Sequence, residues 1–180
     1  EDGHGSEVGL ATTHEEVVTD LAKQQIKSYK DLPIYIYQIQ DKFRNEKRAK
    51  SGLLRGREFS MKDLYSFHTD EKDLDEYYFK VHDAYLTIFK RMGLEAFSVE
   101  ASGGSMSKQF SHEFMVKTEA GEDITFLCNK CAWAQNKEIA EIKAGDKCPK
   151  CEAKTEEAKT VEAGNIFRLG TKYSESLGLR

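Results

Sequence analysis

Arg44, Glu46, Arg55 and Phe59 fall inside one basic stretch and together make up the parts that hold a nucleotide. A guanidinium forks onto a phosphate, a carboxylate accepts from an amine, and an aromatic ring stacks on a base. Seven Lys or Arg residues lie between Lys42 and Arg57, on a chain whose formal net charge is −4. Cations gathered locally on an acidic protein suggest a phosphate-bearing ligand and argue against general coating of a nucleic acid. The competing reading is a charged surface hairpin whose arginines meet only water. A second constellation is Cys128-Asn129-Lys130-Cys131 and Cys148-Pro149-Lys150-Cys151, two pairs separated by sixteen residues. This spacing suits a tetrahedral thiolate zinc site, and four thiolates would fill the coordination sphere, which makes the metal structural. A redox Cys-x-x-Cys or free thiols are the alternatives, although one redox pair leaves the second pair without a purpose.

Two further groups of polar residues need placing. Thr13-His14-Glu15-Glu16 has the Thr-x-x-Glu form of a capping box and predicts a helix start. Ser111-His112-Glu113 holds the residue types of a hydrolytic triad. Consecutive residues of a strand point to alternate faces, however, so these three cannot converge on one substrate atom.

The elements that position these residues follow from the pattern. Val17, Val18, Leu21, Gln25 and Tyr29 mark one face of a first helix, closed by Pro33. Ile34–Gln40 and the return after Arg55-Gly56-Arg57-Glu58-Phe59 read as an antiparallel hairpin with a long basic tip at Ser51-Gly52. Thr69-Asp70 caps a helix from Glu71 to Met92 whose buried stripe is Leu74, Tyr78, Val81, Tyr85, Ile88 and Phe89, with Gly93 as its stop. His82 falls beside that stripe as a partly exposed helix residue. Glu95–Ala101 alternates as a strand, a loop follows from Ala101, and Lys154–Lys159 reads as a charged, solvated connector. Charged residues make up 32% of the chain and hydrophobic ones 39%, a globular balance. No apolar run approaches the ~20 residues of a membrane helix, and Glu1–Gly5 has neither the basic start nor the apolar stretch of a secretory signal. A cytoplasmic protein is expected, without a membrane partner. The absence of an initiator Met and the stop at Leu177-Gly178-Leu179-Arg180 suggest a chain cut at both ends.

Phe43-Arg44-Asn45-Glu46, Gly52-Leu53-Leu54-Arg55-Gly56-Arg57-Glu58-Phe59, Met61-Lys62-Asp63 and Tyr65-Ser66-Phe67-His68 closely resemble motif 2 of the class II aminoacyl-tRNA synthetases, in the wording of the bacterial-type prolyl-tRNA synthetases. Thr13 and Glu15 resemble that family's proline-binding loop, which usually carries Gly-Pro where this chain has Ala11-Thr12. Ser111-His112-Glu113-Phe114 resembles a segment bordering the proline pocket, and Leu169-Gly170-Thr171-Lys172-Tyr173-Ser174 the segment before motif 3. The family commonly has Arg-Pro-Arg at Arg48-Ala49-Lys50.

The resemblance implies an α+β fold: a class II synthetase-like antiparallel sheet flanked by helices, with a small zinc-ribbon insert. Residues 1–127 and 152–180 would be a partial catalytic domain, and 128–151 the insert. Motif 1 would precede residue 1 and motif 3 would follow residue 180, so the 180 residues alone are expected to be nearly inactive. The implied activity is ATP-dependent conversion of L-proline to prolyl-adenylate and its transfer to the 3′ end of tRNA(Pro). Arg44 would be the catalytic residue, holding the α-phosphate and the amino-acid carboxylate. Thr13, Glu15 and His112 would bind proline. Glu46, Arg55 and Phe59 would join Arg44 on ATP, with Mg2+ bridging the phosphates. Lys47, Arg48 and Lys50 would meet the tRNA acceptor end, and Cys128, Cys131, Cys148 and Cys151 would hold structural Zn2+. The full-length protein would be a homodimer. The interval from Glu113 to Asn165 holds a short hairpin, the cysteine segment and the connector in this reading, which leaves no room for a large editing domain. An inactive synthetase-like paralogue or regulator is the alternative.

Overall fold

The computed structural model describes residues 3–47, 52–107 and 109–179. The chain divides into two compact units, Glu1–Leu74 with Tyr173–Arg180, and Asp75–Lys172.

In the first unit, helix α1 (Glu15–Gln25) and a short 3-10 turn (Tyr29–Asp31) lead to an antiparallel ladder of β1 (Ile34–Phe43) and β2 (Glu58–Phe67). The ladder runs from Ile34 opposite Phe67 to Phe43 opposite Glu58. Alternation puts Ile34, Ile36, Gln38 and Lys42 on one face with Phe59, Met61, Asp63, Tyr65 and Phe67. The capping box at Thr13 does not form. His14 is the N-cap, and no side chain caps the helix, because the His14 ring is turned to Lys42 and the Thr13 hydroxyl donates to Glu15. The helix also ends at Gln25, well before Pro33; Tyr29 lies in the 3-10 turn and is exposed. There Ser28 and Asp31 form the reciprocal capping box, with Asp31 accepting from the Lys27 and Ser28 amides.

The second unit takes in most of α2 (Glu71–Arg91) and strands β3 (Ala96–Ala101), β4 (Ser111–Lys117), β5 (Asp123–Cys128), β6 (Ala134–Asn136) and β7 (Thr155–Ile166). The strands close into a barrel in the order β3-β4-β7-β5-β6, antiparallel except for the closing β3–β6 pair. Helix α2 ends as its sequence predicts: Gly93 takes φ 77°, its amide donates to Lys90, and the Leu94 amide donates to Phe89. Tyr78 and Phe89 of α2 pack on Phe114 and Ile166 of the barrel, and the rings of Tyr85 and Phe114 stack at 4.6 Å. Gly164 permits this approach, since a Cβ there would lie 3.0 Å from Tyr85 and 3.1 Å from Phe89. Val99, Met115, Leu127 and Ala134 form a second apolar cluster, flanked by Phe97 and Ala158. Residues 154–159 are not a solvated connector. They enter β7, which pairs with both β4 and β5 and buries Thr155 and Thr160. Between them Glu157 and Lys159 are exposed and alternate with the half-buried Glu156 and Ala158, so a high charge density here belongs to a barrel strand and not to a loop. The fold is therefore α+β, an antiparallel sheet with helices.

A short helix α3 (Lys172–Ser176) closes the described chain, and Lys23 of α1 donates to the Leu177 carbonyl just past it. No helix of the described residues is long and apolar enough to cross a membrane.

Candidate functional site

The first unit buries little that is apolar. Among its described residues, those buried are His14, Glu15, Val18, Thr19, Ala22 and Lys42. Four of the six are polar or charged, an arrangement that stability alone does not favour. Glu15 stands in the first turn of α1, 8% exposed, and accepts a hydrogen bond from the Thr13 hydroxyl. Arg44, just past the end of β1, lies against the same loop. Its Nε donates to the Thr12 carbonyl at 3.4 Å, and its guanidinium sits 5.2 Å from the centroid of the Phe59 ring. The backbone supports this placement, with the Phe43 amide on the Ala11 carbonyl at 2.9 Å and the Arg44 amide on the Arg57 carbonyl at 2.9 Å. Arg57 Nε in turn donates to the Glu46 carbonyl at 2.9 Å. The chain thus brings Thr13, Glu15, Arg44 and Phe59 together, with Glu46 held nearby through its own backbone. Arg55 is exposed in the turn region before β2, and Lys47 is exposed beyond Glu46. Arg48 and Lys50 lie outside the described residues.

Sequence reasoning missed Lys42. Its side chain is 1% exposed, with Nζ 2.6 Å from Asp63 Oδ2 and in contact with His14 Nδ1. The available signal was parity: Lys42 shares its strand face with Gln38 and lies opposite Phe59, on the inward side of the ladder. Tyr65, on the same face, buries its hydroxyl, and burial holds that phenol well above its usual range.

In the second unit the Ser-His-Glu triplet separates, as strand alternation requires. Ser111 donates to the Ser102 carbonyl at 3.0 Å, His112 faces Tyr78, and Glu113 accepts from Asn136 at 3.0 Å. No triad forms among them. His112 Nδ1 lies 2.8 Å from the Tyr78 hydroxyl, which also reaches the Ile166 carbonyl at 3.2 Å. Arg168 covers the Tyr78 ring at 4.3 Å and pairs with Asp75 at 2.5 Å. Burial, with the neighbouring His82, depresses the His112 pKa below the usual imidazole range. The same burial pushes the Glu113 carboxyl up to about 7. The aromatic and cationic residues around His112 were legible as core and as charge, but not as one cluster.

Cys128 ends β5, and Cys131, Cys148 and Cys151 follow in the turns between β5 and β7. The four sulfurs lie within 4.8 Å of one another, with Cys128–Cys151 at 3.4 Å and Cys131–Cys148 at 3.6 Å. A tetrahedral thiolate centre with metal–sulfur bonds of ~2.3 Å sets its sulfurs about 3.8 Å apart, so the four residues fit one metal ion. The Lys130 amide donates to Cys128 Sγ at 3.4 Å and draws that thiol down to about 7. Gly145 precedes the second pair at φ 91°, and Phe126 and Trp133 pack against Cys128 and Cys148.

The model of the family described as tRNA synthetase class II core domain (G, H, P, S and T) matches residues 1–180. Proline--tRNA ligase of Oleidesulfovibrio alaskensis is 49% identical over 166 residues, covering 92% of this chain and 29% of the relative. The probable mitochondrial proline--tRNA ligase of Rattus norvegicus is 45% identical over 174 residues, 96% of this chain and 36% of the relative. The chain thus spans about a third of the length of these curated relatives. Among solved structures, the Giardia lamblia prolyl-tRNA synthetase in complex with prolyl-adenylate superposes with a TM-score of 0.69 at 17% identity, over 99% of this chain and 30% of that one. A loop-to-helix start gripped by the end of a motif 2-like hairpin, matched along the whole chain by one family model, places this chain in the class II tRNA synthetase core-domain family.

Proposed function

We propose that these residues serve a proline--tRNA ligase, which activates L-proline with ATP and transfers it to the 3′ end of tRNA(Pro). The observation that carries the reading is the convergence of Arg44 with the Thr13–Glu15 loop and the Phe59 ring. Relatives of 45% to 49% identity that bear the proline--tRNA ligase name support the choice of amino acid. Adenylate formation needs positioning and charge neutralisation more than covalent help. Arg44 would neutralise charge on the α-phosphate and the attacking carboxylate. Glu15 and Thr13 would receive the imino nitrogen of proline, and His112 would border its ring. Phe59 would stack on adenine, Glu46 would accept from its amine, and Arg55 would reach the β- and γ-phosphates. Mg2+ would supply further neutralisation at those phosphates. Lys47, Arg48 and Lys50 would meet the acceptor end of the tRNA.

Residues 1–127 and 152–180 would belong to the catalytic domain, acting as a homodimer in the cytoplasm. Residues 128–151 would form an insert closed around one structural Zn2+ on Cys128, Cys131, Cys148 and Cys151. Zinc binding at an apparent ~10–16 kcal/mol would hold that core-poor segment folded. Charging of a tRNA(Pro) transcript with labelled proline by the full-length protein tests the function. Wild type should charge it, and Arg44→Ala should lose at least ~100-fold, the usual scale for removing a group that stabilises transition-state charge. Undiminished charging by Arg44→Ala would remove Arg44 from the chemistry.

A further inference from the structure

Burying an ammonium costs several kcal/mol unless its hydrogen bonds are met, yet Lys42 is 1% exposed in a protein with ample surface for a lysine. Its partners explain the placement. Asp63 supplies the counter-charge at 2.6 Å, and Gln38 shares that carboxylate at 3.5 Å. The remaining partner is His14, the residue between Thr13 and Glu15. An ammonium has no lone pair, so Lys42 donates and His14 Nδ1 is the acceptor. Residues 42, 43 and 44 thereby hold the loop at three successive points. Lys42 takes the His14 ring, the Phe43 amide takes the Ala11 carbonyl at 2.9 Å, and Arg44 takes the Thr12 carbonyl at 3.4 Å.

We propose that Lys42, anchored on Asp63, is a positioning residue for the amino-acid site: it fixes the His14 ring and so sets where Thr13 and Glu15 meet their substrate. This rests on the proline--tRNA ligase reading. It implies that Lys42 acts on the amino acid and not on the nucleotide, although it lies opposite Phe59 in the hairpin.

The test uses the full-length protein with Lys42→Met, His14→Leu and His14→Asn. His14→Leu keeps the Lys42–Asp63 pair, so it escapes the folding cost of an unpaired Asp63. His14→Asn keeps an acceptor near the Nδ1 position. In pyrophosphate exchange, Lys42→Met and His14→Leu should raise the KM for proline ~10- to 100-fold and that for ATP by less than about threefold. His14→Asn should recover most of the proline KM. Equal changes in both KM values, or His14→Asn as impaired as His14→Leu, would overturn the role. Hydrogen exchange at the Phe43 amide, without substrate, reads loop attachment independently of activity. It should accelerate in Lys42→Met and His14→Leu, and unchanged exchange would overturn the role even if activity fell. A wild type without proline-dependent exchange would sink the ligase reading, while the amide measurement would still decide whether Lys42 holds the loop.

Discussion

Arg44 meets both the Phe59 ring and the Thr12 carbonyl of the loop that leads to Glu15, and in the proposed ligase this would give the nucleotide and the amino acid different residues. Stacking of a base on an aromatic ring is worth ~1–3 kcal/mol. Phe59→Ala should therefore weaken ATP binding ~5- to 150-fold and leave proline binding nearly unchanged, as read by calorimetric titration of each ligand. Equal losses for both would put Phe59 elsewhere than under adenine. Arg44, Glu46 and Phe59 were legible because their order in the hairpin is distinctive. Lys42 was not, because one more cation in a basic stretch looks solvated. Only the strand pairing puts it on the inward face, with Asp63 four residues further along β2 than its ladder partner Phe59. Thr13 was legible as a residue, but the capping box read from it does not form. Its hydroxyl serves Glu15, and the helix starts at His14 without a side-chain cap.

At the scale of elements, the hairpin and α2 followed from alternation and from the Thr69-Asp70 and Gly93 signals, and they appear at almost the expected bounds. Strand β7 did not, because it carries Glu156, Glu157 and Lys159 in succession around Ala158, and that charge concealed a strand whose buried residues include Thr155 and Thr160. One of them, Thr160, hydrogen-bonds Thr125 of the neighbouring β5 at 2.9 Å. An interior held by hydroxyls gives a weak hydropathy signal, and closure into a barrel depends on distant pairings that no local pattern reports. The cysteine turns hang between β5 and β7, with Cys128 paired to Thr155. Metal analysis of reduced protein purified without chelator should give close to one zinc per chain, and far less would contradict the zinc assignment. Cys148→Ser should speed amide exchange in residues 128–151 and leave the β1–β2 ladder protected. Loss of protection in that ladder as well would show that the metal supports more than its own loops.

For the whole molecule, the family was readable from motif wording, while the way the second unit is built was not. The interval from Glu113 to Asn165 contains most of a closed barrel around its cysteine turns, where a short hairpin, the cysteine segment and a charged connector were expected. That interval is still too short for an added hydrolytic domain, and four thiolates around one metal would leave no position for an activated water. In the proposed ligase, discrimination between proline and a smaller apolar amino acid within this catalytic core would rest on pocket shape, worth only ~1–3 kcal/mol. The most direct measurement is amino-acid-dependent exchange of pyrophosphate into ATP by the full-length protein, run in parallel with proline, alanine, glycine, histidine, serine and threonine. Proline should drive the fastest exchange, alanine a slower but measurable one, and the other four only background. Exchange driven by threonine or serine, with proline silent, would contradict the account.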